Sequence, residues 1–226
     1  DETLHLFVQN SHPMEIPANV IGFGRIGHNE LVHYDKPIPP FATASINVGA
    51  LLPETDFPDQ IEITAGRYFV RPRYEVRRGN RHRRIAHANV ERTDLKPDPN
   101  LPDLGKTMGK GYIMPLPVLP TDSFETVMLP TPMARGEESL PVKAVLVDGD
   151  GTQRSEKFLG NIARADHIAL NVQNWMQEEQ LELSAGHGHV EFLYDFRDGG
   201  DGNGWLHALA RIEQKTSGHR AETIFG

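Results

Sequence analysis

Ile61-Glu62-Ile63-Thr64-Ala65-Gly66 and Leu181-Glu182-Leu183-Ser184-Ala185-Gly186 are two versions of one phrase, and their reading decides the fold. Without a gap, Tyr74-Glu75-Val76-Arg77 then matches Tyr194-Asp195-Phe196-Arg197. Upstream, Ser45-Ile46-Asn47-Val48 resembles Ala169-Leu170-Asn171-Val172 once a short gap is allowed. Self-similarity over a long period signals a repeated unit. The expectation is an internal duplication, with 61–77 superposing on 181–197.

Around these phrases the apolar residues run or alternate as they do on strands. The runs fall near 3–9, 18–23, 43–49, 60–64, 67–77 and 82–92 in the first half. In the second they fall near 124–129, 141–147, 165–172, 180–184, 187–197, 204–214 and 219–225. Helical periodicity is confined to a turn or two at Asn171–Gln180. The 17 prolines and 21 glycines supply the turns that many short strands need. The expected fold is all-β: two tandem antiparallel β-sandwich domains, Ig-like or jelly-roll-like, at 1–105 and 118–226. The proline-rich run from Lys96 to Pro120 supplies a stiff Pro/Gly linker at 106–117.

Composition narrows the function. A chain of 226 residues with 38% apolar and 24% charged residues can bury a sizeable core. No run approaches the roughly 20 apolar residues of a spanning helix. Cysteine is absent, which excludes disulfides, thiolate metal sites and cysteine nucleophiles. That absence and a first residue other than Met fit an extracytoplasmic or extracellular protein, a processed product or a fragment, without deciding the compartment. The net charge of −8 disfavours nucleic acid as partner. The charge is uneven: residues 1–113 hold 14 basic and 14 acidic residues, and residues 114–226 hold 9 and 17.

On alternation, Tyr68, Val70, Pro72, Tyr74 and Val76 share a core face, and Arg67, Phe69, Arg71, Arg73, Glu75 and Arg77 share the other. Arg78, Arg81, Arg83 and Arg84 extend the basic stretch past the turn. Arg67, Arg71, Arg73, Arg77, Arg81 and Arg83 are the candidate binding residues. They suit an acidic protein partner, self-association or a polyanionic ligand, because guanidinium groups pair with carboxylate, sulfate and phosphate. A solvated sheet face is the competing reading.

His187, His189 and Glu191 alternate onto one strand face, and His207 lies on the next strand. Two imidazoles and a carboxylate suit zinc or non-haem iron. His-x-His followed by Glu resembles the first cupin motif, but the carboxylate comes too early and no second motif follows. Gly22-Phe23-Gly24-Arg25-Ile26-Gly27 satisfies the dinucleotide fingerprint and resembles the first phosphate loop of glyceraldehyde-3-phosphate dehydrogenases over fewer than ten residues. The stretch between it and Pro37 is too short for the helix that would meet a pyrophosphate, so a hairpin or loop is expected. Asp148-Gly149-Asp150-Gly151 and Asp198–Gly204 offer calcium-like carboxylates, but Asp-Gly and Asn-Gly are also turn chemistry. The resulting expectation is a non-catalytic binding or assembly module without a cofactor. The alternative is a zinc or iron enzyme built on His187, His189, Glu191 and His207.

Overall fold

The computed structural model describes residues 2–25, 30–52, 61–68, 70, 72–79, 82–87, 114–132, 139–163, 166, 168–197 and 206–225. The described residues are all-β, 57% strand and 7% helix, in four antiparallel sheets. None of their helices is long and apolar enough to cross a membrane. The chain divides into two compact units, Asp1–Val90 and Glu91–Gly226.

The first unit contains β1 (Glu2–Gln9), β2 (Gly22–Arg25), β3 (Leu31–His33), β4 (Thr43–Asn47), α1 (Val48–Leu51), β5 (Ile61–Thr64), β6 (Arg73–Arg78) and β7 (His82–His87). Its sheets run β4-β1-β6-β7 and β3-β2-β5. Leu6, Val8, Ile46, Phe23 and Val48 meet in one core that also takes in Ile16, Ile21 and Ile38. Gly22 and Gly24 lie in a strand, where an added Cβ would sit 2.7 Å from Thr64 Oγ1 or 2.6 Å from the Leu31 side chain. Their role here is close strand packing. Ile26 and Gly27 lie outside the described residues.

The second unit contains β8 (Met114–Val118), β9 (Phe124–Pro132), β10 (Ser139–Asp148), β11 (Gln153–Ala163), β12 (Leu170–Asn171), α2 (Val172–Glu178), β13 (Gly188–Tyr194), β14 (Leu206–Gln214) and β15 (Arg220–Phe225). Its sheets run β12-β9-β14-β15 and β11-β10-β13-β8. Met128, Leu140, Val142, Leu146, Val190, Phe192, Leu206 and Ala208 bring both sheets into one core, closed by Trp175 and Met176 of α2. Burying each large ring, Trp175 and Phe192, contributes about 2–3 kcal/mol. Gln173 joins α2 to β9: its Oε1 accepts from Thr126 N at 2.9 Å and its Nε2 donates to Phe124 O at 2.9 Å.

Leaving β8 aside, the eight elements of the second unit repeat the order of the first, and every strand pairing recurs. The alignment of the opening phrases is nevertheless shifted. Ile61–Thr64 is strand β5, whereas Leu181–Leu183 is irregular chain between α2 and β13. Tyr74–Arg77 lies in the four-stranded sheet of its unit, and Tyr194 ends a strand of the other kind of sheet. By order and pairing β5 corresponds to β13 and β6 to β14, so the expected superposition of 61–77 on 181–197 fails. The shared Ala-Gly marks similar turns, with φ of +56° at Gly66 and +70° at Gly186. The upstream match does coincide in structure. Asn47 (φ −79°, ψ 108°) and Asn171 (φ −80°, ψ 113°) each end a strand and start a helix.

Three further expectations need correction. Residues 114–117, assigned to the linker, belong to edge strand β8, paired with β13; residues 106–113 lie outside the described residues. Pro115 and Pro117 alternate, so both missing N–H groups fall on the open side of the edge. Arg67, Tyr68, Val70 and Pro72 do not continue the strand that starts at Arg73, and residues 69 and 71 lie outside the described residues. The eleven-residue strand β11 had no counterpart among the expected runs. It is a mostly polar edge whose register against β10 shifts twice, a form that discourages pairing with other chains.

One carboxylate closes the second unit. Asp148, 1% exposed, accepts from Gly149 N (2.7 Å), Ser184 N and Oγ (both 2.9 Å) and Arg154 Nε (2.8 Å). It thereby ties the β10–β11 turn to the chain entering β13. The Ser184 N–H bond, with help from Arg154, holds the carboxyl far below the usual carboxylate range. The ionised form is favoured in the fold, so Asp148 stabilises above the ordinary carboxylate pKa of about 4 and loses that effect as pH falls towards its depressed value. Asp148→Asn is expected to lower stability at pH 7 and to flatten the acid-side loss, measured as urea midpoints from pH 7 to pH 2. A second expectation concerns Gly188, where an added Cβ would press into the Val147 carbonyl oxygen. Gly188→Ala should cost about 1–3 kcal/mol in the same urea assay.

Candidate functional site

The outer face of the first unit's four-stranded sheet carries the arginines. Cross-strand partners share a face, and the register places Thr3, Arg77 and Arg83 in one row. His5 and Glu75 form the next row, and Phe7 and Arg73 the one after. Glu75 is central. It is only 3% exposed, yet its carboxylate accepts from Arg77 Nε at 2.8 Å and lies 3.3 Å from Arg83 Nη1. The Arg77 hydrogen bond, followed by the charges of Arg77, Arg83 and His5, holds the carboxyl below its ordinary value against the opposing effect of burial. The Arg83 side chain stays 64% exposed, and Arg73 is exposed. Two guanidinium groups thus meet at one carboxylate, and with Arg73 exposed on the same face the described residues there carry an excess of positive charge.

The other predicted arginines are placed differently. Arg67 is exposed at a turn before the sheet, with Nη2 3.4 Å from the Tyr68 hydroxyl and its guanidinium 5.3 Å from the Tyr68 ring centre. Arg71 and Arg81 lie outside the described residues. Arg84, next to Arg83, takes the opposite face. It is buried opposite Val76 and donates twice to Glu2, each bond 3.0 Å.

The histidine set is only partly brought together. His189 and Glu191 share a face of β13, with Nε2 and Oε1 3.5 Å apart. They sit opposite Val147 and Val145 on one side and Pro117 and Pro115 on the other. His187 precedes the strand, is exposed, and has Nδ1 2.9 Å from Ala185 O. His207 belongs to β14 in the other sheet, and burial lowers its pKa. Among the described residues no three His, Asp or Glu side chains are arranged to hold a metal.

Of the calcium-like segments, Asp148–Gly151 forms the β10–β11 turn, with Asp150 Oδ1 accepting from Thr152 N at 2.9 Å. Residues 198–204 lie outside the described residues. Nearby acids of the second unit have local cations: Glu156 meets Lys143 and Arg197, each at 3.1 Å, and Asp195 meets Arg197. Sequence reading missed two organising groups. Glu75 looked like an exposed acid among arginines, and Asn10 gave no signal beyond a polar residue ending an apolar run.

No protein-family model matches the chain, and no curated protein matches it.

Glu75→Gln should lower the melting temperature by a few degrees at pH 7, because two guanidinium groups lose their shared anion. The depressed carboxyl loses its stabilising effect on acidification, so the difference from wild type should shrink when the melts are repeated at pH 3.

Proposed function

We propose that the chain is a non-catalytic binding or assembly module made of two tandem β-sandwich domains from an internal duplication. The common strand order of the two units supports the duplication. The single core that each pair of sheets shares supports the sandwich reading. The first domain ends before Met114, and the second begins with β8 or just ahead of it.

One observation carries the function: Arg73, Arg77 and Arg83 on one sheet face, with Glu75 buried between the last two. A cation network fixed before binding loses less side-chain freedom when an anionic surface arrives. The partner is accordingly acidic, a carboxylate-rich protein surface or a polyanion. The chain's overall charge of −8 makes the positive face local and directional. The zinc or iron alternative rests on the His189–Glu191 pair alone.

Immobilised heparin, a sulfated polysaccharide, is a direct probe. The wild-type protein should be retained at low salt and elute as ions screen the contact. The double variant Arg73→Glu, Arg83→Glu should elute at clearly lower salt, and His189→Ala should elute with wild type. Wild-type protein that passes through at low salt, or elution unchanged by the double reversal, contradicts the reading.

A further inference from the structure

At the end of β1, Asn10 is buried and gathers two loops. Its Nδ2 lies 2.8 Å from Met14 O and 3.0 Å from both Ile38 O and Pro39 O. Its Oδ1 accepts from His12 N at 3.0 Å, and its backbone N donates to Ala42 O at 2.9 Å. The Met14 loop and the Pro39–Ala42 loop are therefore held side by side. Ala42 N donates to Pro39 O at 3.1 Å, which closes a β-turn with Pro40 second and Phe41 third. Phe41 has φ of +58°. A proline second and a positive φ third define a type II turn, whose third position favours glycine.

Phenylalanine is thus held in a left-handed conformation that disfavours it, and it gains little burial there: Phe41 is 68% exposed and Met14 beside it 52%. Pro13, Pro39 and Pro40 are also exposed. A bulky residue in a strained backbone position, with its ring in water, points to a binding role. The surroundings indicate what it binds. His12 stands edge-on to Tyr68, ring centres 5.7 Å apart, and Arg67 covers the Tyr68 ring. Phe, Met and Arg are among the residues enriched at protein interfaces, and Tyr68, itself buried in the core of the unit, fixes His12 and Arg67 at the surface. The patch also carries both signs, with exposed Glu15 next to Met14 and exposed Arg67 beside Tyr68. An anionic surface would call for one sign. A patch with an apolar centre, one acid and one base can complement itself about a two-fold axis.

We propose that this loop end is a self-association surface that takes a second copy of the chain, with Phe41 as the anchor and Glu15 facing Arg67 of the other copy. The proposal rests on the reading of the chain as a binding module, but it uses a surface separate from the Arg73–Arg83 face.

Sedimentation equilibrium of the full chain tests it, with thermal melts as the folding control. Wild type should form a dimer. Phe41→Gly should melt at the same temperature or higher, because glycine suits the turn, and should weaken dimerisation at least about tenfold, as loss of an interface anchor does. Glu15→Arg and Arg67→Glu should each weaken the dimer, and the two together should restore it. A wild-type monomer at about 100 μM, far above the dissociation constant of a specific dimer, overturns the proposal. So does a dimer unaffected by Phe41→Gly. Binding of a monomeric wild type to phosphatidylcholine vesicles, lost in Phe41→Gly, also overturns it and assigns the turn to lipid. Heparin retention that survives in Phe41→Gly would leave the binding-module reading standing even where self-association fails.

Discussion

On a β-strand neighbouring side chains leave on opposite faces, and in β7 that constraint separates Arg83 from Arg84. Arg84 goes inward, where an unpaired guanidinium could not stay, and Glu2 meets it with two hydrogen bonds. Arg83 goes outward and shares Glu75 with Arg77 from the neighbouring strand. β7 thus contributes charge to both faces of the sheet, and each face carries its own carboxylate. The positive outer face depends on this division. Were both arginines outward, Glu2 would lose its two hydrogen bonds from Arg84; were both inward, Glu75 would lose Arg83.

The second unit meets a related constraint differently. Its sheet β11-β10-β13-β8 has two edges, and both are made poor templates. β8 carries Pro115 and Pro117, and β11 carries charges and register shifts. Between them, Asp148 joins the turn after β10 to the chain before β13, where Gly188 lets the two strands approach. An acidic unit with blunted sheet edges offers few open strands for pairing with other chains.

Much of this was legible in the sequence, and the misses have physical reasons. Alternation at Arg73–Arg77 showed which residues share a face, because a half-buried strand leaves a period of two. The match of Asn47 with Asn171 was visible, but the helix turn after Asn47 was not, because 43–49 reads as one apolar run. The repeat was legible, but its register was not. Ile-Glu-Ile-Thr and Leu-Glu-Leu-Ser have the same alternation, and only hydrogen-bond partners separate a strand from irregular chain with that pattern. β11 escaped notice because an edge strand buries little and so lacks an apolar stripe. The burial of Glu75, Asp148 and Asn10 could not be read locally. Each combines partners close in sequence with others well away or on an adjoining strand (Arg83, Ser184, Ile38), and burial of such a group follows from the whole set.

The central claim is that the outer face of β1, β6 and β7 is a ready-made site for acidic partners. Nuclear magnetic resonance of the isotope-labelled full chain, titrated with a heparin-derived oligosaccharide, addresses it at residue resolution. The account predicts that shift changes centre on Arg73–Arg78 and Arg83, fade with added salt, and spare β13 and β14. Changes centred on His187–Glu191, or spread over both units without salt dependence, would contradict it.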